Sequence, residues 1–378
     1  MVYVTVKQSP MYKQMSLEDF LFSSVCNTAS VNPNTGNTRT YRFDELPTRL
    51  QNAINKNRLI AVLKKYNEST ESLREVPREK LYYSFFIPKK SGGRRRIDAP
   101  NIELMEALRT LKRILEVDFQ AMYHTTAFAY IKGRCTIDAI KRHQNNESRW
   151  FGKFDLSNFF GSTTLNFVMQ QLSMIYPFSE IIKTEDGRVE LERALELAFL
   201  NGGLPQGTPV SPIITNIIMI PIDYMISNSL RDFDGKKFVY TRYADDFIIS
   251  CRYDFHFRDV ESLMVNTLNE FNAPFNLNRE KTRYGSSAGR NFNLGLMLTA
   301  DNKITIGRAR KKRLETLLYD YACCVREGNR WSLEDVQVLA GQISYYRMVE
   351  HEAIDNIITH ISNKQKVNIL SEIKADLK

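Results

Sequence analysis

Disulfide scaffolding is the first thing this chain cannot build. Its 378 residues include five cysteines (Cys26, Cys135, Cys251, Cys323 and Cys324) with no CxxC pair, and five histidines without zinc-ligand spacing. An odd, scattered set of thiols fits a reducing compartment better than a cross-linked secreted domain. Glycine (17) and proline (12) are too few for a collagen-like or low-complexity chain. Long apolar runs are missing as well. The most apolar stretch, 212-PIITNIIMIPIDYMI-226, is interrupted by Asn216, Pro221 and Asp223 and is too short to span a bilayer. Residues 1–20 carry Lys7, Lys13, Glu18 and Asp19 and lack the apolar core of a signal peptide. A cytoplasmic protein with no membrane partner is expected.

What the chain does have is positive charge in blocks. Lys and Arg number 52 against 43 for Asp and Glu, a net +9. The segment 303-KITIGRARKKR-313 contains six cations and no acid, and 89-KKSGGRRRID-98 contains five cations before its first acid. Such runs fit a polyanionic partner, although taken alone each is equally a solvated face. The length predicts two or three lobes.

Residues 1–45 are polar and weakly periodic and read as an extension. From 46 to 75, Leu46, Leu50, Ile54, Leu59, Ile60 and Leu63 recur at helical spacing. Residues 81–100 read as two strands joined by a basic turn at Gly92–Gly93, and 102–118 as an amphipathic helix. The segment 151-FGKFDLSNFF-160 begins as a strand and turns toward a helix at 163–176. A helix over 189–200 is expected to stop at Gly202–Gly203, and the next to start with Ser211 as N-cap and Pro212 in the first turn. The runs 237-KFVYTRY-243 and 247-FIISCRY-253 predict a hairpin around Ala244-Asp245-Asp246. A helix at 258–273, short strands at 291–298 and 303–306, and a helical end from 308 complete an α+β chain.

Three acids stand out. Asp155 follows a strand start, and Asp245 and Asp246 lie at a hairpin tip. A lone Asp-Asp pair is usually a turn. Phosphoryl transfer, however, needs two hard cations roughly 3.5–4 Å apart, and magnesium takes oxygen ligands from rigid neighbouring strands. Carboxylates crowded between apolar strands are costly unless cations compensate them.

The succession 155-DLSNFF-160, 204-LPQGTPVSP-212, 243-YADD-246, 277-LNREKT-282 and 294-LG-295 resembles the ordered palm motifs of reverse transcriptases, over roughly residues 80–350. The resemblance implies a right-hand fold: an N-terminal extension and helical region (1–75), fingers (76–150), palm (151–300) and thumb (301–378). It implies RNA-directed DNA synthesis with two Mg2+ ions, for which Mn2+ can substitute. Asp155, Asp245 and Asp246 would hold metal, with Lys281 near the leaving phosphates. Lys89 and Arg95 would clamp the triphosphate, the register within Arg94-Arg95-Arg96 being open by one. Phe160 matches the steric gate against a 2′-hydroxyl, and Gln206-Gly207 the loop beside the nascent base pair. Tyr243 would sit under the primer end. Arg308, Arg310, Lys311, Lys312 and Arg313 would track the template–primer backbone, and 339-LAGQISYYRM-348 resembles a thumb helix lying along the duplex. Partners implied are an RNA template, a DNA product and dNTPs.

The segment 128-FAYIKGRCTIDAI-140 and the intact loop 206-QGTPVSP-212 resemble the group II intron and retron clade. The NAxxH and VTG elements characteristic of retrons are not found, the nearest to the latter being 295-GLML-298. The expectation is a compact bacterial or phage enzyme working on a dedicated structured non-coding RNA in anti-phage defence. Retron-type msDNA synthesis, an RNA-synthesising or untemplated polymerase, and a non-catalytic RNA-binding maturase-like protein stay open as alternatives.

Overall fold

The protein, seen as a computed structural model, is described over residues 55–88, 92–120, 122–231, 233–289 and 291–377. The extension expected over 1–45 and the start of the following helical region lie outside the described residues.

Alternation and turn chemistry place the central sheet. Strand β3 (Trp150–Ser157) runs down its middle, antiparallel to β5 (Asp246–Cys251), which pairs with β4 (Phe238–Tyr243). Short strands β6 (Asn276–Leu277) and β7 (Arg283–Ser286) share the other edge of β3. The period of two puts Gly152, Phe154 and Leu156 on one face and Phe151, Lys153 and Asp155 on the other. Phe154 stacks on Phe257 of helix α8 (Phe257–Glu270), ring centroids 5.1 Å apart. That face joins the larger core, which extends through α1 (Lys56–Ser69), α2 (Ile102–Arg113), α4 (Leu165–Leu172) and α5 (Glu185–Glu196). Helices α6 (Ser211–Ile218) and α7 (Ile220–Arg231), which hold the apolar stretch 212–226, are buried there and bent 42° to one another. No single helix among the described residues is long and apolar enough to cross a membrane.

The opposite face carries a second core. Phe151 and Ile248 meet Ile137 and Ile140 of α3 (Thr136–Asn145), and Leu296, Leu298 and Ile306 around strands β8 (Phe292–Asn293), β9 (Leu296–Leu298) and β10 (Ile304–Thr305). Helices α9 (Arg308–Arg326), α10 (Leu333–Gln365) and α11 (Ile369–Asp376) complete it. The terminal helical lobe thus docks on the sheet face that bears Asp155. The 81–100 hairpin forms as expected: β1 (Tyr82–Pro88) pairs with β2 (Arg94–Pro100).

Three local expectations shift. Gly202 does not stop a helix, because α5 ends at Glu196. Asn201 (φ 52°) and Gly202 (φ 80°) instead close a two-residue turn in which Leu200 and Gly203 exchange both backbone hydrogen bonds. Ser211 is the first helical residue rather than the cap, and Thr208 Oγ1 accepts its N–H at 3.3 Å. Helix α10 is broken at Glu350 (φ −138°, ψ 65°), whose carboxylate accepts from Thr305 Oγ1 (2.7 Å) and Ile306 N (2.8 Å) and pairs with Lys311 (2.8 Å). A side chain that bonds to the neighbouring strand explains the kink.

His143 ties α3 to the sheet. Its ring nitrogens lie 2.6 Å from Ser250 Oγ and 2.8 Å from Thr241 Oγ1 with no exposure to solvent. Burial, with the charge of Arg142, lowers its pKa to about 3, so the neutral ring serves as one donor and one acceptor. A folded pKa below the unfolded value of ~6.5 means that the unfolded chain binds the extra proton. Its contribution is complete above pH ~6.5 and is lost as pH falls toward about 3. In urea unfolding, the stability gap between wild type and His143→Gln should narrow by about 2–3 kcal/mol from pH 7 to 4.5. A gap that is the same at both pH values would contradict the buried neutral ring.

Candidate active site

The acidic hairpin closes in a two-residue turn. Tyr243 pairs with Asp246, leaving Ala244 and Asp245 at the tip. Ala244 takes φ 57°, a conformation that glycine adopts freely and alanine at a cost of about 1–2 kcal/mol. The strain is held from two sides. Leu156 N donates to the Asp245 carbonyl (3.1 Å) and Arg242 Nη1 to the Ala244 carbonyl (3.3 Å). Asp155 lies directly opposite Asp246 in the ladder, so both side chains leave the same face, with Lys153 two residues before Asp155.

Charge is shared unevenly among the three acids. Lys281 Nζ lies 3.0 Å from both oxygens of the buried Asp155, and Lys153 Nζ lies 3.1 Å from Asp246 Oδ1. Asp245 has no ion pair of its own among the described residues. Burial first, then the charges of Asp246 and Asp155, push its carboxyl up to about 6 against the pull of its own backbone N–H and Lys281. Lys281 arrives by a turn that folds back on β3, where Asn278 N donates to the Asp155 carbonyl (2.7 Å).

Among the described residues no three metal-binding side chains already converge on one point. The oxygen donors nonetheless suit a hard cation that takes one or two carboxylates and completes its shell with substrate phosphate and water. The uncompensated charge at Asp245 is what such a cation relieves.

Around these acids, Phe159 is buried (2% exposed) against Phe275, while Phe160 is half-exposed beside it, centroids 5.6 Å apart. The sequence left open which of the two faces inward. It is Phe159. The Phe160 carbonyl accepts from Leu204 N (3.0 Å), which holds the 204–207 loop beside it. Gln206 gives its carbonyl to Asp98 N (2.8 Å), and a Cβ on Gly207 (φ 122°) would come within 2.8 Å of Ile97 Cγ2. The close approach that Gly207 permits is therefore to strand β2. Arg95 shares the face of Ile97, whereas Arg96 lies on the other and donates to Asp98 Oδ1 (2.8 Å). Lys89 lies outside the described residues. Tyr243 is half-buried, with its hydroxyl raised by burial and by nearby Cys135 and Tyr345.

The basic run at the start of α9 divides. Arg308, Lys312 and Arg313 are exposed. Arg310 donates to the Gly295 carbonyl, and Lys311 is paired with Glu350.

Sequence reasoning missed the residues beneath the turn. Arg242 and Asp223 form a fully buried pair with Nε–Oδ1 2.8 Å and Nη2–Oδ2 2.8 Å, and Tyr240 donates its hydroxyl to Asp223 (2.6 Å). Arg242 Nη1 reaches Asn216 Oδ1 (3.0 Å), and Asn216 Nδ2 donates to the Ala129 carbonyl (2.7 Å). The signal was available. Asn216 and Asp223 are the polar breaks in the most apolar stretch, and Arg242 adjoins the acidic turn.

Comparison with known proteins agrees with this geometry. The reverse transcriptase (RNA-dependent DNA polymerase) family matches residues 87–312. The chain is 28% identical over 287 residues to the retron Ec83 reverse transcriptase of Escherichia coli, covering 73% of this chain and 85% of that protein. It is 26% identical to the Escherichia coli retron Ec73 enzyme (70% and 82% covered) and 28% to the Myxococcus xanthus retron Mx65 enzyme (74% and 65%). Among solved structures, apo telomerase from Candida tropicalis is similar at 15% identity and TM-score 0.46, over 78% of this chain and 62% of that one. Telomerase from Candida albicans with a fragment of telomeric RNA gives 12% and 0.43, over 78% and 59%, so this chain spans about three fifths of those structures. The chain belongs to the reverse transcriptase family, in its prokaryotic, retron-like part, and is an RNA-directed DNA polymerase with the right-hand polymerase fold. Its template class is RNA and its product DNA, and the family uses divalent metal ions.

The buried pair allows stability and activity to be separated. Arg242→Met alone strands Asp223 and should cost about 3–5 kcal/mol, whereas Arg242→Met with Asp223→Leu should regain most of it. The double variant should still incorporate nucleotide more slowly, because the Ala244 carbonyl is left without its donor. Thermal unfolding alongside single-turnover incorporation tests this; a double variant as active as wild type would remove Arg242 from the site.

Proposed function

We propose that the enzyme adds dNTPs to a primer 3′-hydroxyl by two-metal phosphoryl transfer, copying a structured non-coding RNA in retron-type msDNA synthesis. The observation that carries the metal reading is the triad of Asp155, Asp245 and Asp246 at one end of the sheet, two paired with lysine and one not. The retron names of its relatives favour msDNA synthesis over a maturase role.

In this reading Asp155 and Asp245 would hold the cations, and Asp246 would support both metal and primer end. Two Mg2+ ions, or Mn2+, would supply activation of the hydroxyl and stabilisation of the leaving oxygen. With a cation held at Asp155, Lys281 would be released from that carboxylate and would offer its charge and proton to the departing pyrophosphate. Arg95 and Lys89 grip the triphosphate, for which a guanidinium fork is suited. Phe160 lies against the incoming sugar and leaves no room for a 2′-hydroxyl, and Gln206-Gly207 borders the nascent pair. Arg308, Lys312 and Arg313 meet the duplex backbone. Cations at a helix N-terminus oppose the dipole, so their concentration there fits a phosphate partner. We assign fingers, palm and thumb to about 76–150, 151–300 and 301–378.

Primer extension on an RNA template with magnesium tests the chemistry. Deoxynucleotide incorporation should fall by about a hundredfold or more in Asp245→Asn. Preference for dNTP over rNTP should fall about 10- to 100-fold in Phe160→Ala. Equal use of rNTPs by the wild type would sink the gate assignment. For the grip on the duplex, Lys312→Ala with Arg313→Ala should lower the slope of log affinity against log salt by about 0.7–0.9 for each phosphate that is no longer neutralised. An unchanged slope would place the duplex elsewhere.

A further inference from the structure

Tyr130 is an exposed aromatic that no step above uses. Its side chain stands 51% exposed on a backbone with φ 58°, a conformation rare for a bulky residue. Strain of this kind persists where the surroundings over-determine it. Here they do. Arg134 Nη1 donates to the carbonyls of His124 (2.8 Å) and Ala127 (2.6 Å) and closes the loop from one side. Phe128 N donates to the Arg242 carbonyl (2.9 Å), and Asn216 holds the Ala129 carbonyl. The residues that fix the catalytic turn therefore also fix the segment presenting Tyr130.

The sheet order says what Tyr130 faces. Ala127 bridges to Arg242 on the outer edge of β4. Reading across, β3 comes first, then β5, then β4, then the 126–129 segment, a span of about 14 Å at the usual strand spacing. Phe160 follows β3, which carries Asp155, at one flank; Asp246 on β5 and Asp245 in the β4–β5 turn come next, and Tyr130 follows the bridge at the other flank. Burial first, then the charges of Asp245 and Tyr243 against that of Arg95, raise the Tyr130 hydroxyl above its ordinary value, in keeping with a place beside the acidic turn. It has no hydrogen-bond partner among the described residues. A base pair under construction has two sugars, one at each end. If the incoming sugar rests on Phe160, the templating sugar lies toward Tyr130. A phenol can donate to and accept from a ribose 2′-hydroxyl, the group by which a protein distinguishes RNA from DNA.

We propose that Tyr130 is a specificity residue that hydrogen-bonds the 2′-hydroxyl of the templating ribonucleotide, so that one flank of the site rejects a 2′-hydroxyl and the other favours one. This rests on the assignment of Phe160 to the incoming sugar.

The test is single-nucleotide extension of one DNA primer on three templates of one sequence: all RNA, all DNA, and RNA with a single 2′-deoxy residue at the templating position. Wild type should be about fivefold slower with the single 2′-deoxy residue than on all RNA, the worth of one hydrogen bond. Tyr130→Phe, which keeps the ring, should be about fivefold slower than wild type on RNA, unchanged on DNA, and indifferent to the single substitution. Equal loss on all three templates, no loss on any, or a Tyr130→Phe enzyme that still discriminates the 2′-deoxy residue would each overturn the proposal. Failure of the gate reading is distinguishable, because it is scored separately by rNTP incorporation in Phe160→Ala.

Discussion

Arg242 and Asp223 are buried without any contact with water, and the site is built outward from them. Taking two ions into the interior costs several kcal/mol each, which only good geometry and further hydrogen bonds offset. Both are present. The guanidinium meets Asp223 through two nitrogens, Tyr240 supplies the remaining donor to the carboxylate, and Asn216 takes another guanidinium N–H. Burial disfavours the charge on Arg242, yet the attraction of Asp223 holds its pKa above the ordinary value. One ion pair thereby joins α6, α7, β4 and the catalytic turn. Apolar packing is non-directional and fills volume. It could not fix the Ala244 carbonyl to a few tenths of an ångström as a hydrogen bond does.

Above that foundation the catalytic face is short of positive charge by design of its ladder. Three carboxylates share two neighbouring lysines, and the unshared one sits at the strained tip. Lys281 is exposed and carried on a turn, so its bond to Asp155 can break at little cost. Lys153 instead comes from the centre of β3, so the two paired acids are held from supports of different rigidity, a turn and a central strand.

The legible parts of this molecule were those whose signal is local. Asp155, Asp245 and Asp246 sit where alternation and a turn put polar residues beside apolar runs. The 81–100 hairpin followed from its two runs and the Gly92–Gly93 turn, and the helix expected over 102–118 from periodicity; it is α-helical over Ile102–Arg113 and continues as a π-helical turn over Ile114–Asp118. What escaped depends on partners distant in sequence. Asp223 shows as a polar break in an apolar stretch, but its partner, Arg242, lies 19 positions later and the local pattern does not name it. Nothing near Glu350 announces a bond to Ile306 that breaks a helix in two. Gly202 differs for another reason: a glycine after a helix suits a stop and a tight turn equally, and the Asn201–Gly202 pair decides for the turn. The basic run at 308–313 was legible as charge but not as allocation, since two of its five cations are engaged inside the protein.

That allocation bears on how the terminal lobe would hold a duplex on the proposed reading. Burial opposes ionisation of Glu350, but Lys311, Thr305 and the Ile306 N–H outweigh it and keep the carboxyl below its usual value. The charged group locks the break in α10 to the root of α9, and Arg310 locks the same root to Gly295. The first turn of α9 is thus anchored by the cations that point inward, while Arg308, Lys312 and Arg313 point outward from a fixed base. A phosphate contact made from an anchored turn loses less side-chain and backbone freedom than one made from a loose arm. The same root packs against β9 and β10, and through Phe151 and Ile248 against β3, the strand that carries Asp155. On the proposed reading, grip on the backbone and alignment of the primer end would therefore rest on one packed core.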